Sequence, residues 1–422
     1  MKNSDQFNIE VLKRNEDVDE INKEFYSKFS YPWKPISFQS FPDIGLSNIL
    51  NNDFGYYEKP RIPQNAKIWV AGCGTNQAII TALRYPKSQI IGTDVSSGSL
   101  HICQETSSNL NLKNLTLLEK SINDSNFENE FDYIICTGVV HHNADPSFTL
   151  GKLSKALKNE GVLELMVYNY YHRILTTATQ KAIGYLTNST KDLSYKFEMA
   201  NKLIEKYPYK NIMFGFLQYF KGVSEAELAD ALFQPVEYSY TVESLNIMLN
   251  NCNLEYLLPC KNQFNSNNFN WNINFNDSYL DKCYSELPDA ERWQVTNLLN
   301  VNDSPLLWFY LQRQDSIHKR KSEKDVCREF LGTKFEKFST LTSNFLLNAS
   351  TGQYQLKSDS LSFPSINNLT DQLSKTVYMA IDPVVTMRVI LERLKIRPSF
   401  DNVNRIRTNL TSVASPYISA IN

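Results

Sequence analysis

The sequence predicts an α/β protein built on a parallel sheet with helices on both faces, and three stretches carry that reading. The first is Lys67-Ile68-Trp69-Val70, the apolar run of a short buried strand, followed by Ala71-Gly72-Cys73-Gly74-Thr75-Asn76-Gln77 and a helical pattern from Ala78 to Leu83. Strand, glycine turn and helix set free backbone N–H groups and a positive helix end beside any ligand bound there. Gly72 and Gly74 allow the sharp turn with no Cβ in the way. The second stretch, Ser88 to Asp94, is a strand whose terminal carboxylate comes twenty residues after Gly74. An acid so placed can accept both hydroxyls of a ribose. The third runs from Phe131-Asp132-Tyr133-Ile134-Ile135-Cys136-Thr137 through Gly138-Val139-Val140-His141-His142 to a helix over Leu150–Leu157. After a turn at Asn159-Glu160-Gly161 comes another strand, Val162 to Tyr168. Alternation of strand and helix from 67 to 168 argues a parallel sheet and a nucleoside-type cofactor site.

These motifs resemble class I S-adenosylmethionine-dependent methyltransferases. The resemblance rests on Ala71-Gly72-Cys73-Gly74-Thr75, on the acid Asp94, and on Gly138-Val139-Val140-His141-His142-Asn143-Ala144-Asp145-Pro146. The last is similar to the branch whose fourth strand ends Gly-Val-Leu-His-His. It covers roughly 60–170 with specific motifs, and 25–60 and 230–313 more loosely. It implies a Rossmann-like sheet whose last strand is inserted antiparallel, with S-adenosyl-L-methionine as cofactor. The implied cofactor-binding residues are Gly72, Cys73, Gly74, Asn76, Asp94, Val95, Ser121, Ile122, Thr137 and Gly138. Three positions depart from the family pattern. Val70 replaces an acid that helps orient the methionine amino group, and Asn76 replaces the third glycine. The aspartate that often meets the adenine amine is missing, with Ser121, Asn123 and Asp124 as local candidates.

Ahead of the sheet, Val18 to Phe29 is amphipathic and runs into Ser30-Tyr31-Pro32-Trp33-Lys34-Pro35, where proline ends the helix. This arm, 1–60, is either packing for a sheet edge or a lid. The resemblance favours a lid in which Tyr26, Tyr31 and Trp33 bind substrate and exclude water. Residues 61–313 form the cofactor-binding domain. Helical patterns at Ile174–Leu186, Leu193–Tyr207 and Val242–Asn251 suggest a cap spanning about 172–250. Leu254 to Leu258 and Leu306 to Leu311 are strand-like. Between them, Asn262 to Asn276 reads as a solvated loop whose aromatics, Trp271 among them, are candidates for a substrate mouth. Gln314 to Lys324 is a charged linker, with limited proteolysis expected there. Residues 325–422 read as a small, mainly helical, winged-helix-like or partner-binding domain. Helices are expected at Phe335–Leu347, from Asn368, and at Val384–Leu394, with a hairpin arm at Gly352–Leu356.

Composition bounds the function. The 422 residues exceed one ordinary domain, and 42% hydrophobic and 12% aromatic residues suffice for a sizeable core. A net charge of −2 offers no basic field for nucleic acid or acidic lipid. Seven scattered cysteines without a Cys-x-x-Cys pair favour a reducing cytoplasm over disulfides or a metal site. Cys73 and Cys136 are read as small packing residues. No stretch reaches the length of a membrane span.

The chemistry implied is in-line displacement at a methyl carbon, which requires nucleophile, carbon and sulfur nearly collinear. A hydroxyl or ammonium acceptor also needs a base. His141 and His142 lie at the carboxyl edge of a strand, where such sheets place ligands, and histidine titrates near neutrality. His142 is expected nearest the acceptor and His141 nearest the cofactor. Tyr168 is a further catalytic candidate, and Tyr170 and His172 candidates for the acceptor slot. The function expected is methyl transfer to an N or O acceptor of a small molecule or peptide of a specialised pathway. The alternative is a methyltransferase-like scaffold or regulatory module acting through its C-terminal domain, as a homodimer or with a protein partner.

Overall fold

A computed structural model of the chain describes residues 15–29, 31–32, 35–41, 46–190, 192–261, 271–301, 304–357 and 361–421. The N-terminal arm comprises α1 (Asn15–Lys28), β1 (Ser37–Ser40) and α2 (Leu46–Asp53). The alternating region follows: β2 (Lys67–Ala71), α3 (Gln77–Arg84), β3 (Gln89–Asp94), α4 (Ser97–Asn109), β4 (Leu115–Glu119), β5 (Phe131–Thr137), α5 (Pro146–Ala156) and β6 (Leu157–Val167). Local signals place these helices. Asp145 caps α5 by accepting from Phe148 N at 3.0 Å with Pro146 in the first turn, and Ser96 caps α4 through Ser99 N at 3.1 Å.

The cap contains α6 (Ile174–Leu186), α7 (Leu193–Lys206), α8 (Ile212–Tyr219) and α9 (Glu225–Leu232). The sheet resumes with α10 (Val242–Asn251), β7 (Leu254–Pro259), α11 (Ser278–Glu286), α12 (Asp289–Leu299) and β8 (Leu307–Arg313). Seven strands lie in the order β4-β3-β2-β5-β6-β8-β7, with β8 antiparallel to both neighbours and the strands from β4 to β6 parallel. The mostly parallel Rossmann-like sheet with an inserted antiparallel strand is therefore the architecture observed. Alternate residues feed two cores. Ile68, Val70, Tyr133 and Ile135 enter one face, and Trp69, Ala71, Ile134 and Cys136 the other. No described helix is long and apolar enough to cross a membrane.

Two local expectations need correction. Asn159-Glu160-Gly161 is not a turn between helix and strand but part of β6. The register slips there: Phe131 pairs with Leu157 whereas Tyr133 pairs with Val162, so the extra residues form a large bulge. Phe335–Leu347 is not a helix but β9 (Phe335–Lys337) and β10 (Thr340–Asn348). Its aromatic spacing mimics a helical stripe. The backbone of β10 is instead satisfied by three antiparallel partners, β1, β11 (Gln353–Leu356) and β12 (Leu361–Phe363). Pairing with β1 links residues some 300 positions apart, which no local pattern reports.

The chain closes with α13 (Glu323–Gly332), α14 (Gln372–Met379), α15 (Met387–Arg393), α16 (Phe400–Leu410) and β13 (Ile418–Ala420), which pairs with β9. This region is welded to the sheet domain. Tyr57 and Leu258 join its core. Fully buried Arg292 pairs with Asp289 at 3.0 Å and with Glu323, which accepts from Asn404 at 2.8 Å. The charged stretch 314–324 is pinned as well, Arg320 bonding Asp289 and the Tyr256 carbonyl. It thus packs as a seam rather than hanging as a free linker.

Candidate active site

The site begins where β2 ends. Gly72 and Gly74 take φ of +73° and +54°, a region costly for other residues. The Gly72 and Cys73 amides donate to the Thr93 carbonyl at 2.8 and 2.9 Å, so the turn is tied to β3. A Cβ on Gly74 would lie 2.7 Å from the Tyr31 carbonyl oxygen, so the arm already lies over the turn. Asp94 accepts from Gly74 N at 2.8 Å on one oxygen and from Ser96 N at 2.9 Å on the other. Burial raises its pKa, and these amides partly offset the rise. Each oxygen keeps a lone pair, enough to accept a vicinal diol.

A cavity of about 470 Å³ opens over this turn and runs along the carboxyl ends of β2, β5 and β6. All ten residues expected to hold the cofactor line it: Gly72, Cys73, Gly74, Asn76, Asp94, Val95, Ser121, Ile122, Thr137 and Gly138. Val70 is wholly buried in the sheet and takes no part. Burial pushes the Cys136 thiol up to about 12, in keeping with a packing role.

Helix α1 covers the end of the cavity beside Ser121. Asp19 accepts from Ser121 Oγ at 2.5 Å and from Asn123 Nδ2 at 3.4 Å, and burial raises its pKa. A carboxylate thus stands beside Ser121, where the third strand lacks one, delivered from another element. Asn22 Nδ2 donates to the His142 carbonyl at 2.9 Å, while its buried Oδ1 has no partner among the described residues and the residue faces the cavity. Lys23 pairs with Glu119 at 2.7 Å. Tyr26 accepts from Gln234 Nε2 at 2.5 Å, joining the arm to the cap, and Phe29 packs on Phe197 of α7. Asp19, Asn22 and Tyr26 follow helical i, i+3, i+7 spacing, a polar stripe that could have marked this face in the sequence.

The two histidines diverge. His142 lines the cavity and His141 does not. His142 Nδ1 lies 2.7 Å from the Val236 carbonyl oxygen. A carbonyl only accepts, so Nδ1 carries the proton and Nε2 keeps its lone pair. Burial lowers the His142 pKa, favouring this neutral form. His141 is fully buried with its ring 4.0 Å from that of Tyr168, and burial holds its pKa well below the usual value. Tyr168 faces the cavity under the Arg173 guanidinium, 4.1 Å from the ring, and burial drives its phenol pKa up. Such a phenol shapes or donates rather than accepting a proton. Asp230 of α9, which no local pattern singles out, also lines the cavity, with its pKa raised by burial to about 6.

Of the residues expected to bind substrate, Tyr26 and Tyr31 line the cavity. Tyr170 and His172 turn away: the Tyr170 ring packs on Tyr171 and the His172 Nδ1 meets the Ser304 carbonyl at 3.1 Å. Trp33 lies outside the described residues, as does 262–270 of the asparagine-rich loop. Trp271 is buried against Phe309 on the sheet instead of at a mouth.

Residues 69–163 match the family model described as a methyltransferase domain. Residues 69–163 thus make up a methyltransferase-type domain. The fold of the chain resembles that of PKMT2 from Rickettsia typhi in complex with AdoHcy, with a TM-score of 0.57 at 16% identity over 86% of this chain and 74% of that one. An uncharacterized protein of Synechococcus sp. is 26% identical over 242 residues, 54% of this chain and 57% of the relative. An uncharacterized protein of Rickettsia prowazekii is 34% identical over 125 residues, 29% of this chain and 48% of the relative. The chain thus spans about half the length of the curated relatives it matches. The glycine turn, Asp94 and the unsatisfied Asn22 oxygen offer the donors and acceptors that a nucleoside would need.

Proposed function

We propose that the chain transfers a methyl group from S-adenosylmethionine to an N or O acceptor of a small molecule or peptide of a specialised pathway. One observation carries the reading: a single cavity joins the glycine turn and Asp94 to His142 and Asp230. In this reading Asp94 receives the ribose hydroxyls, and Asp19 with Ser121 faces the adenine amine. Bound there, S-adenosylmethionine supplies an activated methyl group on a sulfonium.

The chain's own residues then position and deprotonate the acceptor. His142 Nε2 takes a proton from a hydroxyl or ammonium, oriented by the Nδ1–H bond to Val236. Asp230, titrating near 6, is a second acceptor for that proton. Tyr26, Tyr31 and Tyr168 wall the reaction from water. The free cysteines support a reducing, cytoplasmic setting. Calorimetry with S-adenosylhomocysteine and with NAD tests the reading: one equivalent of the first should bind, and the second should not. Binding of NAD alone would assign the fold to hydride transfer. Binding of neither would favour a scaffold.

A further inference from the structure

The cavity does not end at the methyl-transfer edge. Side chains two apart on a strand share a face, so Tyr168, Met166 and Glu164 form one row along β6, beside Thr137, Ile135 and Tyr133 on β5, and all six line the cavity. Four residues of strand span roughly 13 Å, so this floor runs from the catalytic edge deep beneath α3. Its body is apolar, lined by Ile80 of α3 together with Ile135 and Met166.

The far end is polar, lined by Glu164, Arg84 and Lys261. Glu164 accepts from the Tyr133 hydroxyl and from Trp308 Nε1 at 2.8 Å. Those two bonds leave the carboxylate with unused acceptor sites. Arg84 lines the same end. One of its Nη groups donates to the Val413 carbonyl, while its buried Nε has no partner among the described residues. Val413 of the C-terminal segment closes the wall. No step of the methyl-transfer chemistry uses Glu164 or Arg84. A buried carboxylate and a buried guanidinium N–H with spare capacity, facing one space, fit a group that both donates and accepts. A cation there would meet Arg84 and Lys261, and an anion would meet Glu164.

We propose that this deep arm is the acceptor's binding slot, taking an elongated, largely apolar small molecule whose neutral hydroxyl or carboxamide end bonds Glu164 and Arg84 while its reacting end points to Tyr168 and His142. The inference rests on the methyltransferase reading for its direction and on the slot alone for its occupant. It also gives the C-terminal segment a task, that of sealing the slot.

The test titrates the full chain, with and without saturating S-adenosylhomocysteine, with 1-octanol, octylamine and octanoate as probes. Octanol should bind, and the charged analogues should bind at least tenfold more weakly. Glu164→Leu and Met166→Trp should each weaken octanol at least tenfold while S-adenosylhomocysteine affinity stays within threefold. Ile135→Phe fills the same floor from β5 and serves if Met166→Trp does not fold. No octanol binding by the wild type, equal or tighter binding of octylamine, or octanol binding untouched by the filling variants would each overturn the slot. A peptide acceptor would appear as methylation that survives slot filling, which also overturns it. Failure of S-adenosylhomocysteine to bind, with octanol still bound at the slot, would sink the cofactor reading and leave the slot standing.

Discussion

The two ends of the cavity are built on different principles. At the β2–β3 edge, the cavity wall is made by backbone and one carboxylate: Gly72 and Gly74 in positive φ, their loop tied to Thr93, and Asp94 held by two amides. At the β5–β6 edge it is made by side chains from distant elements: His142 after β5, Tyr168 after β6, Tyr26 from α1 and Asp230 from α9. The first end is rigid because its hydrogen bonds close within a few residues or between neighbouring strands. The second depends on the arm and cap staying docked through contacts such as Tyr26–Gln234 and Asn22–His142. A cofactor common to many enzymes can use a local backbone device, whereas an acceptor peculiar to one enzyme needs an assembled pocket.

Breaking the assembled end should have the largest effect. His142→Ala should lower turnover by about 10²–10⁴ with S-adenosylhomocysteine affinity kept within a few-fold, as expected for loss of a general base. His141→Ala should behave oppositely, costing about 1–3 kcal/mol of stability through its lost packing on Tyr168. Single-turnover rates beside denaturant unfolding curves separate the two. Full turnover by His142→Ala would hand the proton to Asp230.

Asp230 sharpens the comparison through pH. Its pKa in the folded chain is raised to about 6, so the folded state holds the proton more tightly than the unfolded one. Its contribution to stability is therefore present below pH 4 and lost as pH rises through 6. Asp230→Asn should be more stable than wild type at pH 7.5 by about 2 kcal/mol, with the gap closing by pH 4. Urea unfolding at both pH values checks this, and a gap of equal size at both would exclude the titration as its cause.

The smallest change belongs to Asp19, which is partly exposed and accepts from Ser121. Asp19→Ala should weaken S-adenosylhomocysteine by about 1 kcal/mol, one hydrogen bond's worth, and an adenine-modified analogue blocked at the amine should lose its discrimination. Unchanged affinity and discrimination in a calorimetric titration would make Asp19 a mere anchor of α1 to Ser121.

How far the sequence disclosed this follows from the same contrast. The glycine turn and Asp94 lie in contiguous segments whose apolar runs and spacing report the strands directly, so the sheet and the residues that line this end of the cavity could be read. The helices α6 and α10 were legible to the residue because their periodicity, and for α10 its Thr241 capping box, are local. Asp19 and Asp230 were not, since they reach the cavity only when helices fold over sheet edges that are distant in the chain. The segment 335–347 misled because aromatic spacing suited a helix while its pairing partner, β1, lay at the other end of the chain. The pinned stretch 314–324 shows the same limit: its charges read as solvated, yet Glu323 is buried against Arg292.

The central claim is that the β2–β3 turn holds the nucleoside of S-adenosylmethionine. Titrating wild type and Asp94→Ala with S-adenosylhomocysteine tests it most directly. The wild type should bind one equivalent, and the variant should lose about 2–4 kcal/mol, the worth of a charge-assisted pair of ribose hydrogen bonds partly compensated by water. Equal affinity in the two proteins, with both folded, would contradict it.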